Sequence, residues 1–572
     1  MSQKKDLHVG TNKHRWWKEA VVYQIYPASF LDSNGDGWGD VPGITQKLDY
    51  LKDLGVDVIW VSPIYKSPQA DMGYDIADYE DIDPSYGTLA DVDNLIKEVK
   101  KRDMKLVMDL VVNHTSEEHA WFLDSRSSKE SSKRDWYIWK PAKYDADGNR
   151  LPPNNWAQIL GEANSAWTWD EKTQEYYLSL FTPEQPDLNW ENPDVRAAVH
   201  DILRFWLDKG VSGFRMDVIN MISKVQTFPD AAISVKDNKY QPGDKYYANG
   251  PRLHEWLKEL RRDVLSKYDT LTVGEMPFVR DDDEVIKVVG AENEELNMIF
   301  VFDLVDIDNV PGDFKYTLQP WDARDLKKIV NRLQRLMLER DGWNSLYVEN
   351  HDQPRSTTLA GTLYVYQGEE IGMRNVPKEW KPEEYKDIES INFFKKYRDL
   401  YPGNAEKQAL AAKIMQRKAR DSARTPMQWD SSAQAGFTSG KPWMRVNDDY
   451  PSINAAAQLA NPEPSPGMLS VRAFWKRGLE CRKENKDVFV YGDFEMLDME
   501  DQKVVAYRRW SDKNAFITVL NFSGEQTVWE KMGDLKVKKW VAGNYDERQL
   551  DGKAKSGKLE LRPWEAVLGM LE

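Results

Sequence analysis

Residues Lys105–Val112 read KLVMDLVV, and Asn113 and His114 follow at once. A short apolar run rich in branched side chains and closed by polar residues predicts a strand buried on both faces. The pattern recurs along the chain. Ala20–Pro27 reads AVVYQIYP, Val56–Pro63 VDVIWVSP, Gly213–Asp217 GFRMD and Leu271–Met276 LTVGEM. Met298–Leu304 reads MIFVFDL, Ser345–Asn350 SLYVEN and Gly361–Gly368 GTLYVYQG. Helical patterns separate most of these runs, among them Asp91–Arg102 and Trp321–Leu338. Eight such strands with helices between them predict an α/β fold, a (β/α)8 TIM barrel. An open α/β sheet is the alternative that the pattern by itself leaves.

Polar residues end these strands: Asp109, Asn113 and His114, Arg215 and Asp217, Glu275, and Asn350 to Asp352. Barrel enzymes collect their chemistry at the C-terminal strand ends, and carboxylates there cost folding energy unless they are paired or used. The interval between the third and fourth strands is too long for a plain crossover. Its Trp, Pro, Gly and Asn clusters, LPPNNW included, predict a subdomain inserted over the barrel mouth. After Phe489, short alternating runs such as VVAYRRW and AFITVLNF are bounded by turn residues and predict an antiparallel β-domain. The predicted division is barrel, first part, 1–114; inserted subdomain 115–190; barrel, second part, 191–488; and C-terminal β-domain 489–572.

Composition narrows the function. The chain has 572 residues, 41% of them apolar, so a sizeable core is available. With 78 Lys plus Arg against 94 Asp plus Glu, the net charge is −16, which argues against nucleic-acid or anionic-membrane binding. One cysteine, Cys481, excludes an internal disulfide. The first residues lack an apolar signal-like segment, no long apolar span exists and cysteine is scarce, so a cytosolic protein is expected; a monomer is the expected state, although nothing in the sequence fixes it. The 23 Trp, 26 Tyr and 18 Phe supply flat faces that can stack on sugar rings, although most belong to the core.

Six segments in order resemble the α-amylase superfamily, the family 13 glycoside hydrolases: DLVVNH (Asp109–His114), QPDLNW (Gln185–Trp190), GFRMD (Gly213–Asp217), GEM with Glu275, ENHD (Glu349–Asp352) and ARTPMQW (Ala423–Trp429). QPDLNW and ARTPMQW look like the oligo-1,6-glucosidase and α-glucosidase subgroup. The resemblance implies a retaining, exo-acting α-glucosidase for short isomaltose- or maltose-type oligosaccharides, with no organic cofactor. Retention needs two carboxyls on opposite sides of the anomeric carbon. By resemblance Asp217 is the nucleophile, Glu275 the acid/base and Asp352 the third carboxylate, which stabilises the distorted sugar. Arg215, two residues before Asp217, shares its face of the strand and would keep it ionised. His114 and His351 match hydrogen-bonding histidines of the family. Tyr74 and Asp75 resemble the ring and the anchor of the first glucose site, with Arg424 as the partner of Asp75. Phe181 and Gln185 either line this site or serve as packing. Val218, directly after the nucleophile, resembles the α-1,6-preferring members, whereas alanine or threonine there goes with α-1,4 preference. A transglucosylase or sucrose isomerase would use the same intermediate. The isomerases usually carry RLDRD after the sixth strand, where this chain reads DLVDIDNVPGDF. A non-catalytic transporter partner would carry a membrane span and lack the carboxylates.

Two further features stand out. In DSNGDGWGD, Asp32, Asn34, Asp36 and Asp40 place oxygen ligands at a spacing suited to a hard cation. The subgroup has a structural Ca2+ or Mg2+ here, with the Trp38 carbonyl as a further ligand; a plain Asp/Gly turn is the alternative. The second feature is a short connection. Only His351–Ala360 separates the seventh and eighth strands, where a βαβ crossover needs at least about 10–12 residues including its helix. Either the chain lacks barrel helix seven, leaving Thr357–Ala360 as its tail, or the sequence has lost a segment. A truncated, inactive relative is the corresponding functional expectation.

Overall fold

The computed structural model describes residues 14–279, 281–293, 295–354, 362–533, 535–545, 554–555 and 557–572. Seven of the predicted runs form one parallel sheet: β1 (Val21–Ile25), β2 (Val58–Val61), β3 (Lys105–Val111), β4 (Gly213–Asp217), β5 (Leu271–Met276), β6 (Met298–Val301) and β7 (Leu363–Tyr366). The order across it is β6-β5-β4-β3-β2-β1-β7, and it curls into a barrel-like arc. Alternation along the strands splits the side chains between two cores. Val22, Trp60, Val107, Val273 and Phe300 pack in the interior. Tyr23, Ile59, Met108, Phe214 and Ile299 pack against the helical layer. Burial on both faces is why these strands read as continuous apolar runs.

The longer helices between them are α1 (Leu89–Lys101), α2 (Pro193–Lys209), α3 (Leu253–Asp263), α4 (Asp282–Val289) and α5 (Ala323–Glu339). α1 starts at Thr88, whose side chain and that of Asp91 cap each other's backbone N–H groups, and it buries Val92, Leu95, Ile96 and Val99.

The predicted seventh strand, Ser345–Asn350, does not join the sheet as a strand. Only Ser345 pairs, as an isolated parallel bridge to Phe300. The segment still lies between the two sheet edges. Ser345 Oγ donates to Thr362 O at 3.0 Å, Trp343 Nε1 to Thr362 Oγ1 at 2.7 Å, and Tyr347 packs on Phe300 with ring centroids 4.9 Å apart. The physical reason is local. The residues after Ser345 must deliver His351 and Asp352 to fixed partners and return to Thr362 within a short span, so the ladder is given up first. The predicted remnant of helix seven, Thr357–Ala360, lies outside the described residues.

Residues 115–190 carry a three-stranded antiparallel sheet of Trp139–Lys140, Glu175–Leu178 and Trp167–Asp170. Near the C-terminus, five strands form an antiparallel sheet in the order Asp493–Leu497, Val504–Trp510, Ala515–Asn521, Ala566–Leu571, Val537–Gly543. Lys327 of α5 ties this sheet to the barrel, its Nζ donating to Asp501 O at 2.8 Å and Val504 O at 3.0 Å. Among the described residues no helix is long and apolar enough to cross a membrane.

Candidate active site

The parallel registers bring the polar strand ends together. Arg215 of β4 sits opposite Asp109 of β3, and Glu275 of β5 opposite Phe300 of β6. Arg215 is buried and serves three carboxylates at once. Its Nη1 donates to Asp217 Oδ1 at 2.7 Å and Asp109 Oδ1 at 2.8 Å, and its Nη2 lies 2.7 Å from Glu275 Oε2. One guanidinium cannot neutralise three charges, so protons must be retained. Burial pushes Asp217 up to about 7 against the pull of Arg215. Glu275 is also pushed up to about 7, by burial first and then by the charges of Asp217 and Asp352, against Arg215. Asp109, the third carboxyl on Arg215, is likewise pushed up, to about 6, by burial against Arg215.

Val218 follows at φ 33° and ψ 43°, a left-handed conformation that is costly for a β-branched residue. The turn aims its N–H at Glu275 Oε2, 3.3 Å away.

Asp352 is held from two sides. Arg424 Nη2 donates to its Oδ1 at 2.6 Å, Arg420 Nη1 reaches the same oxygen at 3.4 Å, and His351 Nε2 lies 3.0 Å from Oδ2. Burial acts against its charge, but His351, Arg424 and Arg420 hold the carboxyl well below the usual range. Burial lowers the proton affinity of His351 itself, so the fixed positive charge beside Asp352 comes from the arginines. Gln24 Nε2 pairs with His351 Nδ1 at 2.8 Å, which leaves the ring proton on Nε2, facing Asp352. The Tyr74 ring stacks on His351 at 5.2 Å, and its hydroxyl lies 2.6 Å from Nε2.

His114 Nε2 is 3.1 Å from Tyr74 O, and Phe181 packs on the His114 ring at 4.9 Å. Gln185 Nε2 donates to Asp71 Oδ2 and Tyr74 O, both at 3.3 Å. Asp71, Tyr74, His114 and Phe181 line a cavity of about 890 Å3 with Asp217, Val218, Glu275, Asp352 and Arg420, whereas Gln185 is buried behind its wall as packing.

Asp75 is placed differently from the expectation. It is fully buried, its carboxylate accepts from the N–H groups of Ala70 (2.8 Å) and Asp71 (3.0 Å), and it does not line the cavity. Arg424 pairs with Asp352 and His351 O rather than with Asp75. The corresponding pair in the cavity wall is Asp71 with Arg420, Nη2 to Oδ1 at 3.0 Å. Sequence reasoning missed both residues, although each lies within four positions of a residue it chose.

The model of the α-amylase catalytic domain matches residues 24–362 and 356–492. An α-glucosidase of Schizosaccharomyces pombe is 49% identical, over 97% of this chain and 98% of that protein. The chain belongs to the α-amylase family. An oligo-1,6-glucosidase of Parageobacillus thermoglucosidasius is 48% identical, over 96% of this chain and 98% of that protein. Among solved structures of family likeness, the isomaltulose synthase of Protaminobacter rubrum superposes with a TM-score of 0.88 at 38% identity, over 98% of this chain and 100% of that one.

Within this family member, three groups bear on cations. In the Asp32–Asp40 loop the donors are all oxygen, the chemistry a hard cation needs. Much of that capacity is spent internally. Asp32 accepts from the N–H groups of Asn34 (2.9 Å), Gly35 (2.7 Å) and Gly37 (2.8 Å) and from the Thr438 hydroxyl (2.5 Å). Asp40 accepts from Ser33 and Gly43. Asn34 Oδ1 and Asp36 Oδ1 each accept one backbone N–H, those of Asp36 and Trp38. Trp38 packs between Tyr86 and Trp443 at 6.0 and 5.1 Å. Between α2 and α3, His200, Glu259 and Asp263 bring ligand atoms within 4.8 Å of one another and could hold a metal ion. The third group needs no metal: Lys224 Nζ is buried among Asn113 Oδ1 (2.9 Å), Asp187 Oδ1 (3.0 Å) and Met221 O (2.7 Å). This ammonium ties the insertion, through Asp187, to the end of β3.

Proposed function

We propose that the protein is a retaining, exo-acting α-glucosidase that releases terminal glucose from short isomaltose- or maltose-type oligosaccharides. The observation that carries this reading is the Arg215 cluster. Asp217 and Glu275 share one guanidinium and line the same cavity as Asp352. In the productive state Asp217 is ionised and Glu275 protonated. The Asp217 carboxylate attacks the anomeric carbon while Glu275 gives its proton to the departing glycosidic oxygen. The resulting glycosyl ester is then opened by water, with Glu275 taking the water's proton, and glucose leaves with its configuration retained. Asp352, kept ionised by Arg424 and Arg420, stabilises positive charge on the sugar ring. Tyr74 would face the sugar with the fully buried His351 behind it, positioning Tyr74 and Asp352 rather than meeting sugar hydroxyls as expected, and Asp71 with Arg420 would close the far end of the pocket.

The test is Asp217→Asn, with glucose release from isomaltose, maltose and sucrose followed and every product sugar identified. A folded variant that keeps more than about a hundredth of the wild-type rate removes Asp217 as nucleophile. Isomaltulose or trehalulose from sucrose would move the protein to the isomerases, whose isomaltulose synthase is 38% identical against 48–49% for the glucosidases. We read residues 1–114 and 191–488 as the barrel, 115–190 as the inserted subdomain and 489–572 as the C-terminal β-domain of a monomer. A structural Ca2+ or Mg2+ at the Asp32–Asp40 loop belongs to the same reading.

A second reading concerns completeness. The two family matches overlap at 356–362, across the end of the short connection, which favours a family segment missing there. On this reading the polypeptide as written is poorly soluble or nearly inactive, and inserting a relative's helix between Arg355 and Thr357 rescues it. Ordinary glucosidase turnover by the soluble chain as written would remove this second reading.

A further inference from the structure

Trp564 is the one tryptophan among the described residues that is exposed, at 58%. Its backbone is unusual as well: φ is 57°, in the left-handed region, where a bulky residue is strained and the strain needs compensation. The compensation is visible. Trp564 N–H donates to Ser523 O at 3.0 Å, and its carbonyl accepts from Asn544 Nδ2 at 2.7 Å. The C-terminal domain thus fixes an aromatic ring in solvent, where leaving it uncovered forgoes its burial.

The ring does not stand alone. Phe522 packs against it with centroids 6.1 Å apart, and Trp321 packs against Phe522 at 6.0 Å. Trp321 lines the same cavity as Asp217, Glu275 and Asp352, together with Asp325, Lys328 and Ile329 of α5. Three aromatic rings therefore lead from the catalytic cavity across the first turns of α5 to the surface of the C-terminal domain. The geometry is held by α5 itself, whose Lys327 anchors the loops of that domain.

We propose that Trp321, Phe522 and Trp564 form an accessory track that binds the distal glucose units of longer α-gluco-oligosaccharides while their terminal glucose occupies the pocket. Aromatic faces suit this ligand because a glucose ring presents C–H groups on its faces and hydroxyls at its rim. The track's continuity with the catalytic cavity points to a sugar chain rather than to a protein partner. The proposal rests on the glucosidase reading and extends it to a substrate class, chains longer than the disaccharide.

The test uses the full chain carrying Asp217→Asn, which allows binding to be measured without turnover. Affinities for isomaltose and isomaltohexaose are determined by calorimetry, with Trp564→Ala and Trp564→Phe added in turn and folding checked by circular dichroism. Isomaltohexaose is expected to bind more tightly than isomaltose. Trp564→Ala should reduce that ratio about fivefold, equivalent to ~1 kcal/mol, and Trp564→Phe should retain most of it. An equal ratio with and without the Trp564 ring overturns the track, as does a hexasaccharide that binds no better than the disaccharide. Failure of the glucosidase reading is separate: wild-type protein would then release no glucose from either sugar, whatever Trp564 does to hexasaccharide affinity.

Discussion

Replacing Glu275 by glutamine should make the protein more stable as it makes it inactive, and the gain should depend on pH. Glu275 is 5% exposed, and burial, against Arg215, raises it from 4.5 to about 7. The folded state therefore keeps a proton that the unfolded state has lost between those values. Such a group contributes stability that is present below the unfolded pKa and is lost as pH rises through the folded one. The rise corresponds to ~3 kcal/mol at roughly 1.4 kcal/mol per pH unit. Glutamine is neutral throughout and keeps an acceptor for the Val218 N–H, so it escapes this cost. Urea denaturation of wild type and Glu275→Gln should give a stability gain of ~1 kcal/mol near pH 5.5 that grows to ~3 kcal/mol near pH 8.5. Comparing the two proteins at each pH cancels the titration of carboxyls remote from the Arg215 cluster. A gain that is the same at both pH values would refute the buried, proton-retaining Glu275, and with it the assignment of this group as the acid.

The remaining expectations concern single contacts. Lys224→Met should strip Asp187 of its ammonium partner and destabilise by ~3–5 kcal/mol, the cost of leaving a buried charge unpaired; a loss below ~1 kcal/mol in urea would show that Asn113 and the Leu180 N–H suffice. Val218→Ala should raise kcat/KM on maltose relative to isomaltose by about tenfold, within the range one side chain can supply. An unchanged ratio removes Val218 as the selector. Chelation should lower the Tm if the Asp32–Asp40 loop holds a cation, since a ligand of the folded state stabilises by mass action, and Asp36→Ala should abolish that sensitivity. An unchanged Tm with no metal by elemental analysis returns the loop to a plain turn.

Much of the sheet was legible because a polar residue at the end of an apolar strand is expensive, and so it stands out. Asp109, Asp217 and Glu275 were found this way, and the structure gathers all three on Arg215. The choice between Asp71 and Asp75 was not legible. Both lie in one short loop, and only the fold decides that Asp75 turns inward to hold the N–H groups of Ala70 and Asp71 while Asp71 meets Arg420. The exchange of Arg424 for Arg420 has the same origin: the two arginines lie four residues apart and both reach Asp352, but only Arg420 also reaches Asp71. Lys224 gave no signal, since a lysine among Ile222, Ser223 and Val225 reads as an ordinary surface cation until Asp187 arrives from the insertion.

The missing pairing of Ser345–Asn350 weighs differently on the site and on the fold. A strand usually positions the residue that follows it, so loss of the ladder should displace Asp352, and about 1 Å of displacement can cost about a hundredfold in rate. Here, however, Asp352 takes its position from side chains on other elements. Arg424 and Arg420 fix Oδ1, His351 approaches Oδ2, and the Asp352 N–H donates to Asn350 Oδ1 at 2.8 Å. His351 is itself clamped between Tyr74 and Gln24. Of those contacts only that of Gln24, on β1, passes through the sheet. Beside α5 lies a cavity of about 280 Å3 whose lining mixes apolar Met337, Trp343 and Phe489 with polar Lys18, Asp487 and Arg509. In a complete barrel the helix after the seventh strand covers the outer face next to the sixth helix. Apolar surface left uncovered there favours association. If the short connection lacks its helix, the expected defect is one of solubility and stability first, since the catalytic carboxylates keep their own ion pairs.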